Sequence, residues 1–399
     1  MKTALILPPT AASFEPVAGL PLIQRTALSA LRGGCDRVVV LSGAYGDRLR
    51  ALFAGDARTR AVEVTSGSVA VEGSQVAVIP SDCFVTAATL QRINTASVDG
   101  RPLLFQTTGG DGLALCRPAM LAGIDLGAMT AGGADVLWTA LRALGAQSVS
   151  LDGAIGLRVH DARSAAAAER VLCAQLRADS AASDGPLAHW IDRHISLRLS
   201  RWLVRHTRLR PNHITIIGTS LGLLAATTLS LGTYWAGVAG TLLFLCTTIV
   251  DGCDGEVARL TFRESAFGEK FDVITDNLVH VAIFAGLALG LYRQNPGGHY
   301  LALFAVLLGG FACDSAVTYF FLVRRPGFAR SGGPAQSWKG KVRQALLHGF
   351  EALMNRDFAY LLLVLALFGR LHWFVWGTAF GTYLFAILLV CIYRWRDAA

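Results

Sequence analysis

Four aspartates in one short stretch carry the densest chemistry of this 399-residue chain: Asp251, Asp254, Asp272 and Asp276, within DGCDGEVARLTFRESAFGEKFDVITD. Spacings of three and of four put Asp251 with Asp254, and Asp272 with Asp276, each on one face of a helix. Apolar segments flank both pairs, and carboxylates at the ends of membrane helices are costly unless paired or metal-bound. Two facing pairs make an oxygen-rich cage for hard divalent cations, Mg²⁺ or Mn²⁺. Two such ions can neutralise a pyrophosphate while an attacking oxygen is oriented. Gly255 and Gly268, one on each helix, let backbones approach each other or a flat ligand. Any one of these aspartates alone would read as a helix cap or an interfacial charge; the set of four reads as a site.

The elements that must position these groups are apolar. Hydrophobic residues make up 53% of the chain and charged residues 16%, with a mean hydropathy of +0.46, against about 25% charged in soluble domains. That balance excludes a disordered or fully soluble protein. Apolar stretches at roughly 213–231, 234–250, 271–292, 300–323, 358–368 and 372–393 predict an all-α domain of six transmembrane helices. The fifth must recruit residues from 344–354 to reach spanning length. Ahead of them, residues 189–210 interleave two Trp with Arg193, Arg198, Arg201, Arg205, Arg208 and Arg210, the pattern of an interfacial amphipathic helix. Arg and Lys crowd 193–210, 252–267, 324–343 and 394–396, whereas the opposite helix ends hold Arg293 and Arg370. The positive-inside rule then places the amino-terminal half, the 251–268 connection and the carboxyl terminus on the cytoplasmic side of an inner or cytoplasmic membrane. A net charge of +8 points to phosphate-rich partners, lipid or nucleotide, and not to nucleic acid.

From Met1 to about Pro186, short apolar strands alternate with helical stretches. Strands are predicted at 3–7, 37–42, 75–79, 103–106, 112–116 and 156–160, and an Ala-rich helix at 162–177. This is the pattern of a doubly wound α/β domain with a mostly parallel sheet. The chain divides into an α/β domain at 1–180, a linker and interfacial helix at 181–212, and a transmembrane domain at 213–399.

The pattern Asp-x2-Asp-Gly-x2-Ala-Arg-x8-Gly-x3-Asp-x3-Asp runs without a gap from Asp251 to Asp276 and resembles the signature of the CDP-alcohol phosphotransferase family. The resemblance implies transfer of a substituted phosphoryl group from a CDP-alcohol to an acceptor alcohol, a polyol or polyol phosphate, with release of CMP. It implies that Asp251, Asp254, Asp272 and Asp276 bind the divalent metals and that Asp276 is the base. Gly255, Ala258, Arg259, Ser265 and Gly268 would line the nucleotide pocket. Pro211-Asn212-His213-Ile214-Thr215 resembles the Pro-Asn-x-x-Thr start of the family's first membrane helix, which adds Asn212 and Thr215; a plain helix start, with Pro near N1, is the competing reading. Arg324, Arg325, Lys339 and Lys341 are candidates for holding an acceptor's phosphate, although topology alone also wants positive charge there. The family's membrane domain is typically a homodimer. The donor, CDP-diacylglycerol or a soluble CDP-polyol, stays open, and with it a lipid or soluble product.

The amino-terminal half resembles the sugar-phosphate nucleotidyltransferase family through GLPLIQRT at 19–26 and RVVVL at 37–41, with Asp82 and Asp161 at the positions of metal-binding aspartates. The two halves together are similar in layout to bifunctional inositol-phosphate cytidylyltransferases and phosphotransferases. Working nucleotidyltransferases start on a Gly-rich loop ending in Arg, followed by a Lys. The corresponding LPPTAASFEPV at 7–17 has no Gly, Arg or Lys, and its Pro residues lack N–H donors. This domain is therefore expected to be inactive, with Asp82 and Asp161 as strand-end and helix-capping residues. A bifunctional enzyme with both halves active, and a non-catalytic lipid-binding membrane protein, are the alternatives.

Overall fold

The computed structural model describes residues 2–66, 73–96, 98, 100–107, 110–122, 124, 126, 134–150, 156–180, 185, 187–318 and 357–397. Two compact units emerge, Met1–Gln175 and Leu176–Ala399.

The first unit is built on a seven-stranded sheet. In chain order its strands are β1 (Lys2–Ile6), β2 (Arg37–Leu41), β3 (Glu63–Thr65), β4 (Gln75–Ile79), β5 (Leu103–Thr107), β6 (Gly110–Cys116) and β7 (Gln147–Ser150). Their spatial order is β7-β5-β6-β4-β1-β2-β3. The helices α1 (Leu22–Arg32), α2 (Gly46–Ala54), α3 (Ala87–Thr95), α4 (Ala134–Ala143) and α5 (Ala162–Ser180) accompany them. Alternation along the strands explains the layering. Ala4, Ile6, Val38, Val40, Ala77 and Ile79 pack with α1 and α3 on one face, while Leu5, Val39, Leu41, Val76 and Val78 pack with Leu137, Trp138 and Leu141 of α4 on the other. The sheet is mostly parallel, as expected. Its exception is β6, antiparallel to both β4 and β5; the β5–β6 pair must be so, because only two residues separate the strands and a parallel pair needs a crossover of a dozen or more. The strand expected at 156–160 is Gly156–Arg158, which leaves the main sheet to pair antiparallel with Cys83–Val85.

The second unit is helical: α6 (Arg193–His206), α7 (Pro211–Leu229), α8 (Tyr234–Thr261), α9 (Ala266–Gln294), α10 (Tyr300–Thr318), α11 (Phe358–Leu367) and α12 (Leu371–Asp397). Among the described residues, three stretches are long and apolar enough to cross a membrane: Tyr234–Thr261, Ala266–Gln294 and Pro296–Cys313. Close packing rests on small residues. A Cβ added at Gly286 or Gly290, four apart on α9, would come within 2.3 Å of the carbonyl oxygens of Ala226 and Leu229 on α7, so only glycine lets these backbones meet.

The connection expected at 251–268 is much shorter. α8 continues as helix through the first aspartate pair to Thr261, and only 262–265 link it to α9. No proline interrupts 251–261, and Phe262 ends the helix in the left-handed region at φ 56°, its N–H bonded to the carbonyls of Ala258 and Arg259. At 28 residues α8 is about 42 Å long, more than the ~30 Å of a hydrocarbon core, so one end projects beyond it. Residues 344–354, expected to begin the fifth span, lie outside the described residues.

Candidate active site

Three helix ends build one cleft. From α8 come Asp254, Gly255, Ala258 and Arg259; from the turn and the first turns of α9, Ser265, Gly268 and Asp272; from the first turn of α7, Asn212 and Thr215. The cleft measures about 550 Å³. At one end, carboxylate oxygens of Asp251, Asp254 and Asp272 lie within 4.8 Å of one another. Hard oxygen donors so close together are the chemistry a divalent cation requires, and like charges at this range demand a counter-charge. The donor set thus fits a divalent metal. Asp254 is buried at 6% exposure and accepts a 2.5 Å hydrogen bond from the Thr215 hydroxyl, which ties α7 to the cage. Asp276 stands one turn beyond Asp272 on α9, outside this three-carboxylate group and outside the cleft wall.

The glycines and the cap have visible reasons. The Arg259 guanidinium lies 3.5 Å from where a Gly255 Cβ would be, and Asn212 Oδ1 lies 3.4 Å from that of Gly268; a side chain at either glycine would narrow the cleft. Ser265 is the N-cap of α9, its hydroxyl accepting from the Gly268 N–H at 3.0 Å. Pro211 is the first residue of α7 and Arg210 its N-cap, so Asn212 is not a cap and its side chain is left to the cleft. Arg324, Arg325, Lys339 and Lys341 lie outside the described residues.

Several lining residues carried no expectation: Arg263, Glu264 and Glu269. Their signal was proximity, since all three fall between the motif's fixed positions. Glu256 is a larger omission. It is 1% exposed and accepts hydrogen bonds from Ser196 at 2.6 Å, Ser200 at 2.7 Å and Arg193 at 3.0 Å, all on α6. The polar spacing 193, 196, 200 on one helical face was the available clue.

The first unit treats its candidate residues differently. Asp82 pairs with Arg158 at 3.0 Å. Asp161 accepts from the Ser164 N–H at 2.8 Å at the start of α5, and hydrogen bonds from Ser164 hold its carboxyl below the usual range. The segment at 7–17 folds on itself as a short helical turn, Ala11–Phe14. The Thr10 N–H is taken by the Ser13 hydroxyl at 3.0 Å, the Ser13 N–H by the Thr10 carbonyl and the Glu15 N–H by that of Ala12. Three donors of the loop are thus spent within it.

A helical membrane unit whose α7, α8 and α9 converge on an acidic cage is thus joined to an α/β unit. Residues 208–381, most of the helical unit, match the CDP-alcohol phosphatidyltransferase family. The bifunctional IPC transferase and DIPP synthase of Aquifex aeolicus is 32% identical over 127 residues, 32% of this chain and 28% of that protein. The protein of the same name from Rubrobacter xylanophilus is 29% identical over 346 residues, 73% of this chain and 76% of its own. This chain spans less than a third of the length of three such relatives, while the Rubrobacter match covers more of the chain than either unit holds. A solved nucleotidyl transferase from Methanothermobacter thermautotroptrophicus is 16% identical, covering 41% of this chain and 90% of its own, with a TM-score of 0.30.

Proposed function

We propose that the chain is an integral-membrane CDP-alcohol phosphotransferase that joins the phosphoryl-alcohol moiety of a CDP-alcohol to a polyol or polyol phosphate and releases CMP. The observation that carries this reading is the meeting of Asp251, Asp254 and Asp272 within 4.8 Å at the end of a cleft walled by Gly255, Ala258 and Arg259. Divalent cations held by Asp251, Asp254, Asp272 and Asp276, two Mg²⁺ or Mn²⁺ in this reading, would offset charge on the pyrophosphate and on the departing CMP. Asn212, Thr215, Gly255, Ala258, Arg259, Ser265 and Gly268 hold the nucleotide. Asp276 takes the proton of the acceptor hydroxyl as its oxygen bonds to the β-phosphorus; the bond from that phosphorus to the CMP oxygen breaks, and CMP leaves with the electron pair. Arg324, Arg325, Lys339 and Lys341 are the proposed acceptor-phosphate residues.

The same reading has six membrane spans, a homodimer, and the amino-terminal unit, active site and carboxyl terminus on the cytoplasmic side. It takes 1–180 as the α/β domain, 181–212 as linker and interfacial helix, and 213–399 as the membrane domain. The self-bonded loop at 7–17 supports an amino-terminal unit that no longer transfers nucleotides, although the two-unit likeness to a bifunctional relative suggests a shared ancestry. The test is CMP release by the purified chain with Mg²⁺ or Mn²⁺, offering CDP-diacylglycerol or CDP-inositol against a panel of polyols and their phosphates. Metal-dependent release with one pair is expected; none with any pair overturns the reading.

A further inference from the structure

We propose that Glu256 is a positioning residue that, from the back of α8, holds α6 and through it the start of α7, so that Thr215 and Asn212 stand at the acidic cage. The inference rests on reading that cage as a metal site. One residue on a helix turns by about 100°, so Glu256 points some 160° away from both Asp254 and Ala258, and it is absent from the cleft wall. At 1% exposure a carboxylate must be compensated. Its partners are all on one face of α6: Ser196 at 2.6 Å, Ser200 at 2.7 Å and Arg193 at 3.0 Å. The same seam is reinforced by the Ser200 hydroxyl on the Cys253 carbonyl at 3.4 Å and the Cys253 thiol on the Ser196 carbonyl at 3.6 Å.

What α6 does next is constrained. Only residues 207–210 separate its end from Pro211, and Thr207 closes the helix by donating to the Leu203 carbonyl at 2.7 Å and accepting from the Leu209 N–H at 3.4 Å. The placement of α6 therefore decides where α7 begins, and α7 brings the Thr215 hydroxyl to Asp254 at 2.5 Å. α8 is gripped on both sides, by α7 through Asp254 and by α6 through Glu256.

The test uses the full chain in detergent and Mn²⁺ alone as the probe, with binding read by electron paramagnetic resonance and folding by thermal melts. Ser196→Ala with Ser200→Ala should raise the Kd for Mn²⁺ about tenfold, as loss of outer-shell support does, and Glu256→Ala at least as much. Adding the serine changes to Glu256→Ala should cost nothing more, and Glu256→Gln, whose amide oxygen accepts from one hydroxyl while its NH2 donates to the other, should recover part of the affinity. An unchanged Kd in folded Glu256→Ala and in the double serine variant overturns the proposal. So does a smaller fraction of binding-competent protein with an unchanged Kd, the mark of simple destabilisation. Asp254→Asn is the control on the underlying reading: Mn²⁺ binding that survives it removes the cage as a metal site, and the proposal with it.

Discussion

The two units hold their aspartates in opposite ways. In the α/β unit the two candidate carboxylates are engaged by their own neighbourhoods: Asp82 by Arg158, Asp161 by Ser164. After the end of β1, the Thr10, Ser13 and Glu15 N–H groups are closed into the turn at Ala11–Phe14. In the helical unit Asp251, Asp254 and Asp272 come from two helices to one point beside a cleft, and the neighbour that Asp254 gains is a hydroxyl, not a cation. Carboxylates paired with an arginine or a helix start are neutralised before any ligand arrives. Carboxylates crowded against one another disfavour each other's charge, a cost in stability that a bound cation would offset.

The largest effect expected from breaking this contrast is at Asp276. Asp276→Asn should lower CMP release by roughly 10² to 10⁴-fold, the range of general-base catalysis, with binding of the CDP-alcohol largely intact; turnover at the parent rate would sink the proposed base. Next in size is the framework that brings the helices together. Gly286→Leu drives a side chain against the Ala226 carbonyl, 2.3 Å from the position of an added Cβ, and should destabilise the helical unit by about 1 to 3 kcal/mol, as overpacking does. Melting of the helical unit at a lower temperature, with the α/β unit's transition unmoved, is the expected signature. An unshifted melt would mean that α7 and α9 can separate without loss.

Much of this was legible in residue order because helical periodicity is rigid. Spacings of three and four put each aspartate pair on one face before any tertiary contact is considered, and Asn212 and Thr215, three apart, share a face that meets the cleft. Strand alternation likewise foretold the two packed faces of the sheet. What escaped depended on through-space packing. The end of α8 was placed too early because Asp251 and Gly252 read as a boundary, while helix propagation carries on until a left-handed residue stops it at Phe262. Glu256 sits at a variable position of the motif and in a sequence looks like a solvated charge; only the approach of α6 buries it. Which strand would run against the mostly parallel sheet was not legible, since apolar alternation carries no strand direction.

The smallest expected effect probes the spent carboxylate at its most exposed. Asp161 and Ser164 bond reciprocally, the Asp161 N–H to the Ser164 hydroxyl at 3.0 Å and the Ser164 N–H to the Asp161 carboxylate at 2.8 Å, closing the first turn of α5. Those bonds favour the ionised form and lower the carboxyl's pKa. A carboxyl lowered in the folded state adds stability that is fully present above its unfolded pKa of about 3.9 and is lost as pH falls through the folded value. Asp161→Ala should therefore lower the melting temperature of the α/β unit slightly at pH 7, less and less as the solution is acidified below that point, and leave metal-dependent CMP release unchanged throughout. A pH-independent difference would assign the loss to packing and not to the charge. Lost CMP release would mean that Asp161 serves the reaction and that the two units do not hold their aspartates in opposite ways.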